Sequence, residues 1–264
     1  MSKPANKCIF CGESKMSKEH IYAEWMSPYL QKRQINYEAR TTTIRRDGNL
    51  TSKKLIAGDP HSGKTRVVCK RCNNDWMSRL QSETKPILIP LMLGKRSVLS
   101  QNDQRKLAAW ITMFTMVSEF KKSNVQKAAI PFSERFSFYK HPKAHENWKI
   151  WIANYERETW GELIVRTTFP VSDNGLTPEL GGDGMPIPNT QATTFVVGRL
   201  YVHVYSSQLQ KLVNDQRLKA AGFVRLWPLA GRVIKWPPEV TIYDAEAEAV
   251  AFTAIRAIAR KTGG

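Results

Sequence analysis

The sequence contains only four cysteines and has no long uninterrupted apolar stretch. No run reaches the roughly 18 apolar residues that a bilayer-spanning helix needs. Residues 1–7 also lack the hydrophobic core of a signal peptide. These features argue against a membrane anchor and against a disulfide-rich secreted scaffold. We therefore expect a cytoplasmic protein that does not bind membranes and whose cysteines stay reduced.

Acidic residues are scarce relative to basic ones. The 264 residues include 23 Asp and Glu against 40 Lys and Arg, which gives a formal net charge of +17. The excess is concentrated at one end, because residues 1–100 hold 19 Lys and Arg against 8 Asp and Glu. Basic side chains attract polyanions from a distance and release counterions on contact with phosphates. The charge therefore favours a nucleic acid as the partner.

The four cysteines form two Cys-x-x-Cys pairs, Cys8 with Cys11 and Cys69 with Cys72. Each such turn presents two thiolates to one ion, and two turns complete the tetrahedral sulfur shell that structural Zn²⁺ prefers. The pairs are further apart in sequence than in a compact zinc ribbon. The intervening segment must therefore leave the metal site and return to it.

Two short motifs stand beside the cysteine pairs: Glu19-His20 follows the first pair, and Asn73 directly follows the second. The order CxxC, Glu-His, CxxC-Asn resembles the zinc-stapled branch of the HNH endonucleases. That family has a ββα-metal fold, with the acidic residue and His at the end of one strand and an Asn or His at the start of the helix.

The resemblance implies a role for each of these residues. His20 would be the general base that activates a water, and Glu19 and Asn73 would hold a catalytic Mg²⁺ or Mn²⁺, with Asn74 as the alternative to Asn73. The residue types suit this chemistry. An imidazole with a pKa of about 6.5 can accept a proton at neutral pH, and carboxylate and amide oxygens are hard ligands.

Two further parts of the family pattern stay open. Asn49, His61 and Ser62 are the candidates for the middle Asn of the family, which orients the base. The polar, basic segment between the cysteine pairs either grips a phosphate backbone or is a solvated loop. Under the first interpretation, Arg45, Arg46, Lys53 and Lys54 of this segment would contact nucleic acid, together with Lys70 and Arg71 inside the second cysteine pair.

The pattern along the chain predicts an α+β fold in two domains. Residues 1–96 would form the HNH-like ββα unit, with a hairpin turning at Asp47-Gly48-Asn49, a strand at 65–68 and a helix from Asn73 that Pro86 and Pro90 end. Residues 97–264 would form a mixed helix and antiparallel-sheet domain. Its predicted elements are a long helix from about 100 to 120, strands at 148–155, 163–169 and 195–205, and a last helix at 244–260.

These features lead to one main functional hypothesis and two alternatives. The main hypothesis is a metal-dependent HNH endonuclease that hydrolyses DNA phosphodiester bonds, in phage defence or a mobile element. One alternative is a zinc-stapled nucleic-acid-binding protein whose active site has decayed, and the other is an HNH nuclease that acts on RNA. The second domain would bind substrate, a protein partner or a second protomer in a homodimer. Retention of Glu19, His20 and Asn73 in register with both cysteine pairs favours the enzyme.

Overall fold

The structure, a computed structural model, describes residues 7–30, 37–45, 48–56, 63–120, 128–156, 164–172, 179–182, 184, 186–208 and 215–252. It has helices together with antiparallel and mixed sheets, which confirms the α+β prediction. Within these ranges, every helix is too short or too polar to traverse a lipid bilayer.

The N-terminal part is built on two antiparallel strands that are distant in sequence. Strand β1 (Met16–His20) pairs with β4 (Lys64–Cys69). Between them lie a 3₁₀ helix (Glu24–Tyr29) and the hairpin of β2 (Tyr37–Arg45) and β3 (Gly48–Ile56). The predicted hairpin and the predicted strand at 65–68 are confirmed.

A continuous helical segment follows β4. It consists of α1 (Lys70–Cys72), a π-helical stretch (Asn73–Met77) and α2 (Ser78–Met92). The prediction that Pro86 and Pro90 end this helix is wrong, because α2 continues through both prolines. A proline inside a helix costs about 3 kcal/mol. Here Leu88, Leu91 and Met92 are fully buried, and each such side chain contributes about 1.5–3 kcal/mol.

The next helix, α3 (Gln101–Ser118), is the central element of the core and follows the short strand β5 (Ser97–Leu99). It starts at a capping box in which the Ser100 hydroxyl accepts from the Asp103 backbone N–H and the Asp103 carboxylate accepts from the Ser100 N–H. Every residue from 107 to 118 is buried. A helix that is enclosed on all sides is a core helix, as the sequence predicted for this segment.

The C-terminal part is dominated by a six-stranded sheet. Its main path is β10 (Val224–Trp227), β6 (Trp148–Tyr155), β9 (Leu200–Ser207), β8 (Thr190–Val197) and β7 (Ile164–Phe169), all antiparallel. The sixth strand, β12 (Thr241–Ile242), runs parallel to β6, while β11 (Ile234–Trp236) pairs with β5. The remaining helices are α4 (Phe132–Lys140), α5 (Asp215–Ala220) and α6 (Asp244–Ala251).

The prediction of one strand over 195–205 is wrong, because a tight turn at Gly198-Arg199 divides the segment into β8 and β9. Gly198 has a φ of +60°, and a Cβ there would lie 2.4 Å from the Met92 carbonyl oxygen. The Arg199 backbone N–H donates to that same oxygen at 2.8 Å. The turn therefore requires glycine, both for its backbone conformation and for close contact with the end of α2.

One apolar cluster joins the N-terminal strands and helices to the sheet. Phe114 of α3 stacks on Phe195 of β8 with ring centroids 4.2 Å apart, and the Tyr22 hydroxyl donates to the Val196 carbonyl at 3.2 Å. Residues on both sides of position 96 therefore share a core. The division into units 1–96 and 97–264 stays a prediction.

A buried ionic group fixes α4 against α3 and the sheet. The Glu119 carboxylate accepts hydrogen bonds from Arg135 of α4 at 2.5 Å and from the Ala129 backbone N–H at 2.6 Å. Its backbone carbonyl accepts from Arg166 of β7, a guanidinium whose pKa is lowered by burial. Removal of one member would leave the other charges buried and uncompensated.

His203 makes stability depend on pH. Its ring is buried in the sheet and lies 2.8 Å from the Thr194 hydroxyl, and burial lowers its pKa to about 4. The unfolded chain, with a histidine pKa of about 6.5, binds the proton more readily than the folded protein between these values. The free energy of unfolding should therefore decrease as the pH falls below about 6.5, by up to about 1.4 kcal/mol per pH unit.

Urea unfolding of the wild type and His203→Asn between pH 7 and 5 measures this dependence. The Asn side chain can still bond to Thr194 but does not titrate. The difference between the two proteins cancels the contribution of every other group. Identical pH slopes for the two proteins would contradict the assignment.

Candidate metal centre and catalytic residues

The first cysteine pair lies in a tight turn that packs against the helical segment and hydrogen-bonds to β4. The Gly12 N–H donates to the Cys8 carbonyl at 2.9 Å, and Gly12 adopts a φ of +75°. Phe10, inside the turn, is fully buried and meets the ring of Trp76 edge-on at 4.9 Å. The Ile9 N–H donates to the Val67 carbonyl, which attaches the turn to β4. The local sequence thus fixes the direction of both thiols.

The second pair lies where β4 becomes helix. Cys69 ends the strand, and Cys72 lies in the first helical turn. The backbone N–H of Cys72 donates to the Cys69 sulfur at 3.4 Å. The Lys70 N–H donates to the Lys15 carbonyl at 3.1 Å. This bond joins the second pair to the loop that follows the first.

All four sulfur atoms meet at one point. They lie within 4.8 Å of one another, and the Sγ atoms of Cys11 and Cys69 are 3.5 Å apart. Tetrahedral Zn–S bonds of about 2.3 Å separate sulfurs by about 3.8 Å, so the spacing fits a zinc ion. Among the described residues, no other group of His, Cys, Asp or Glu has metal-binding spacing. The four cysteines could therefore bind a metal ion such as zinc, as predicted from their pairing.

The pKa values of Cys8, Cys11 and Cys72 are shifted in different directions. The hydrogen bond from Cys72 lowers the pKa of the Cys8 thiol to about 4, and the same contact together with burial raises the pKa of Cys72. Burial raises the pKa of Cys11 to about 11. Four adjacent thiolates would repel one another, so a divalent cation must replace the protons if all four ionise. Metal binding at this centre should therefore release protons.

His20 ends β1, next to a small cavity. It is half-buried, and its backbone lies opposite Lys64 of β4. The cavity, of about 20 Å³, has room for about one water molecule and is bordered by His20, Gln81 of α2, Met77 of the π-helical stretch and apolar residues of α3. The side-chain Oε1 of Gln81 accepts from the Trp25 indole N–H at 3.0 Å. His20 thus has access to a water-sized space at the strand end.

Asn73 lies against the strand that carries the Glu-His motif. It is half-buried, and its Nδ2 donates to the Ser17 hydroxyl of β1 at 3.1 Å. Glu19, two residues further along β1, pairs with Thr65, and a bulge interrupts the register between Ser17 and Glu19. For Glu19, the structure describes only the backbone. The sequence does not single out Ser17, because a serine beside charged residues in a strand carries no distinguishing pattern.

The remaining predicted residues fall into three groups. Asn74 is exposed, Asn49 pairs with Ile44 in the hairpin backbone, and His61 and Ser62 lie outside the described residues. Arg45, Lys53 and Lys54 are in the β2–β3 hairpin, for which only the backbone is described, and Arg46 lies outside the described residues. Lys70 and Arg71 are exposed beside the cysteine centre, where Arg71 pairs with Glu13 at 2.7 Å.

Comparisons of this chain with protein-family models, with curated proteins and with solved structures found no significant match. The site must therefore be interpreted from its own residues.

Proposed function

We propose that the protein is a metal-dependent HNH-type endonuclease with DNA as its substrate. The observation that carries the proposal is the contact between Asn73 and Ser17. This hydrogen bond holds the first helical turn after the second cysteine pair against the strand that bears Glu19 and His20. Two antiparallel strands followed by a helix, with the sulfur cluster at their base, agree with the ββα order that the motifs predict.

In the proposed reaction, the His20 imidazole accepts a proton from the water that attacks the phosphodiester. Its position beside a water-sized cavity supports this role. Oxygen atoms of Glu19 and Asn73 would hold a Mg²⁺ or Mn²⁺ ion. When bound, this ion would stabilise the negative charge that develops on the phosphate and on the leaving 3′ oxygen. The Ser17 hydroxyl, by accepting from Nδ2, keeps the Asn73 amide oxygen directed away from it.

The cysteine cluster has a structural role in this proposal. It joins the start of the helix that carries Asn73 to the loop before β1. A zinc ion there would keep the catalytic side chains in register, because small shifts of a general base or ligand reduce the rate strongly.

The proposal is tested with purified protein and four substrates: supercoiled plasmid, linear duplex DNA, single-stranded DNA and RNA. Each is incubated with Mg²⁺, Mn²⁺ or EDTA. Nicked and linear plasmid that depend on added metal are the expected products. Cleavage of RNA alone would assign the site to an RNA nuclease. Binding without cleavage of any substrate would support the decayed, zinc-stapled binding protein.

Nucleic-acid affinity should fall steeply with salt, since the N-terminal part holds most of the excess positive charge. The hairpin residues Arg45, Arg46, Lys53 and Lys54 are the proposed phosphate contacts. Their combined replacement by Gln should reduce the slope of log K against log salt by about 3 to 4, since each duplex phosphate contact contributes about 0.9. Fluorescence anisotropy at KCl concentrations from about 50 to about 300 mM measures the slope.

A matched control removes the same number of positive charges elsewhere, at exposed positions of the C-terminal part: Arg217, Lys219, Arg232 and Lys235. This variant should keep a slope close to that of the wild type. An unchanged slope in the hairpin variant would assign the phosphate contacts to another surface.

A further inference from the structure

A continuous row of aromatic rings connects the cysteine centre to the protein surface. Phe10 contacts Trp76, and the Trp76 ring lies 6.3 Å from Tyr139 of α4. From there the row continues along the outside of α4, with Phe136 at 6.0 Å from Tyr139 and Phe132 at 6.0 Å from Phe136. The row therefore ends on the surface beside the turn that holds Cys8 and Cys11.

The last two rings are unusually exposed for phenylalanine. Phe132 is 51% and Phe136 is 39% exposed, and their spacing of four residues puts them on the same face of the helix. The Phe132 ring also lies over Gly12, where a Cβ would be 3.6 Å from the ring. Exposed apolar rings that adjoin one another on a surface commonly mark a binding site.

The helix itself is held firmly from its inner side. Arg135 bonds to the buried Glu119 carboxylate, and Glu134 accepts a hydrogen bond from the Trp148 indole. Exposure of the two phenylalanines is therefore a property of an anchored helix face.

Positive charge accompanies these rings. The Lys140 ammonium lies 5.3 Å from the centroids of both Phe136 and Tyr139, and the Arg71 guanidinium donates to the Tyr139 hydroxyl at 3.2 Å. Glu134 is the single acidic residue within α4, and it is directed inward to Trp148. The outer face of α4 thus presents aromatic rings and a cation, without a carboxylate of its own.

The geometry points to unpaired bases of single-stranded nucleic acid as the ligand of this aromatic face, defined by Phe132, Phe136, Tyr139 and Lys140. Bases stack on exposed rings while neighbouring cations contact the phosphates, and here three successive rings lie in a row with the Lys140 ammonium beside two of them. The Lys140 ammonium selects this partner over an apolar protein surface, which would cover that charge without supplying a counter-charge, whereas Arg71 is already paired with Glu13. The inference rests on the proposed function in taking nucleic acid as the substrate, and it adds that the substrate has an unpaired segment beside the metal centre.

The test measures the binding of two fluorescent probes: a single-stranded DNA of about 20 nucleotides and a hairpin duplex of similar charge. Both are measured at the same salt concentration and without added Mg²⁺ or Mn²⁺. The variants Phe136→Leu and Phe132→Leu keep an apolar side chain but lose the ring. Each should weaken single-strand binding by about 5- to 100-fold and change duplex binding far less. Phe136→Tyr keeps a ring and should restore most of the affinity. Val98→Ala, at an exposed apolar site on β5, is the remote control and should leave both affinities unchanged.

The outcomes separate this inference from the proposed nuclease function. Duplex binding and cleavage with no loss of single-strand affinity in the Leu variants would overturn the inference and leave the nuclease proposal standing. Failure of the wild type to bind any nucleic acid would overturn both. A concentration-dependent dimer that Phe136→Leu abolishes in sedimentation, with unchanged single-strand binding, would assign the face to a second copy of the chain and would also overturn the inference.

Discussion

If the four cysteines hold a structural zinc, Cys69→Ser should prevent its binding and unfold the N-terminal part of the protein. Zinc binding to such sulfur shells contributes about 10–16 kcal/mol in small domains, comparable with the whole stability of a typical protein, about 5–15 kcal/mol. Serine keeps the size of the side chain but is a poor zinc ligand, so the change removes the metal bond with little effect on packing. Elemental analysis should find about one zinc per chain in the wild type and far less in the variant.

The matched control is Lys70→Ala, at the exposed position next to Cys69. It should keep both the zinc and the melting temperature of the wild type. Full zinc content and unchanged melting in Cys69→Ser would contradict a metal centre at the four cysteines. The effect should extend beyond the turn itself, because Cys8, Cys69 and Cys72 belong to the same apolar cluster as the helices.

His20→Ala should lower the rate of DNA cleavage by about 10² to 10⁴ and leave zinc content, folding and DNA binding intact. The expected reason is loss of the group that accepts the proton from the attacking water. The measurement is initial rates of plasmid nicking for both proteins, with EDTA as the blank. His141→Ala removes an exposed histidine at the end of α4, which is not among the proposed catalytic residues, and should cut like the wild type.

Equal nicking by the wild type and His20→Ala would indicate a contaminating nuclease or a different active site. Asn73→Ala should behave differently from His20→Ala, because it weakens the site for the catalytic ion. Its defect should be partly relieved at high Mn²⁺, and Glu19→Ala should be harder to rescue because a charged ligand is lost. Asn74→Ala, at the exposed neighbouring position, should keep activity.

The features that the sequence predicted correctly are those encoded over a few adjacent residues. Each Cys-x-x-Cys turn fixes its own geometry, so the meeting of four sulfurs followed from the presence of two such turns. The hairpin of β2 and β3 was predicted from Asp47-Gly48-Asn49, and a long helix was predicted from about residue 100, where α3 begins. At the start of α3, the polar side chains satisfy the free backbone groups of the first helical turn.

The errors arise where distant packing outweighs local preference. Pro86 and Pro90 do not end α2, since burial of the apolar residues around them compensates for the missing backbone donors. Gly198 divides a β-rich segment because the chain there must meet the end of α2. The position of α4 beside the cysteine centre has no local signal at all. Its contact with Trp76 joins residues more than sixty positions apart, as the Tyr139 ring shows.

The placement of the β2–β3 hairpin between two paired strands has a consequence for how this protein can vary in evolution. The chain leaves β1 at Ile21 and returns at Gly63, and these two residues are hydrogen-bonded at 3.0 Å. Doubling the length of a flexible connection between adjacent points costs only about 0.6 kcal/mol, so the hairpin can change in length without moving β1 and β4, provided that β2 keeps its contact with β7. Related proteins should therefore differ most in length and charge within the hairpin, because Tyr22, Met26 and Leu30 of the same connection are buried in the core. A different hairpin could therefore be grafted there without rebuilding the residues at its base.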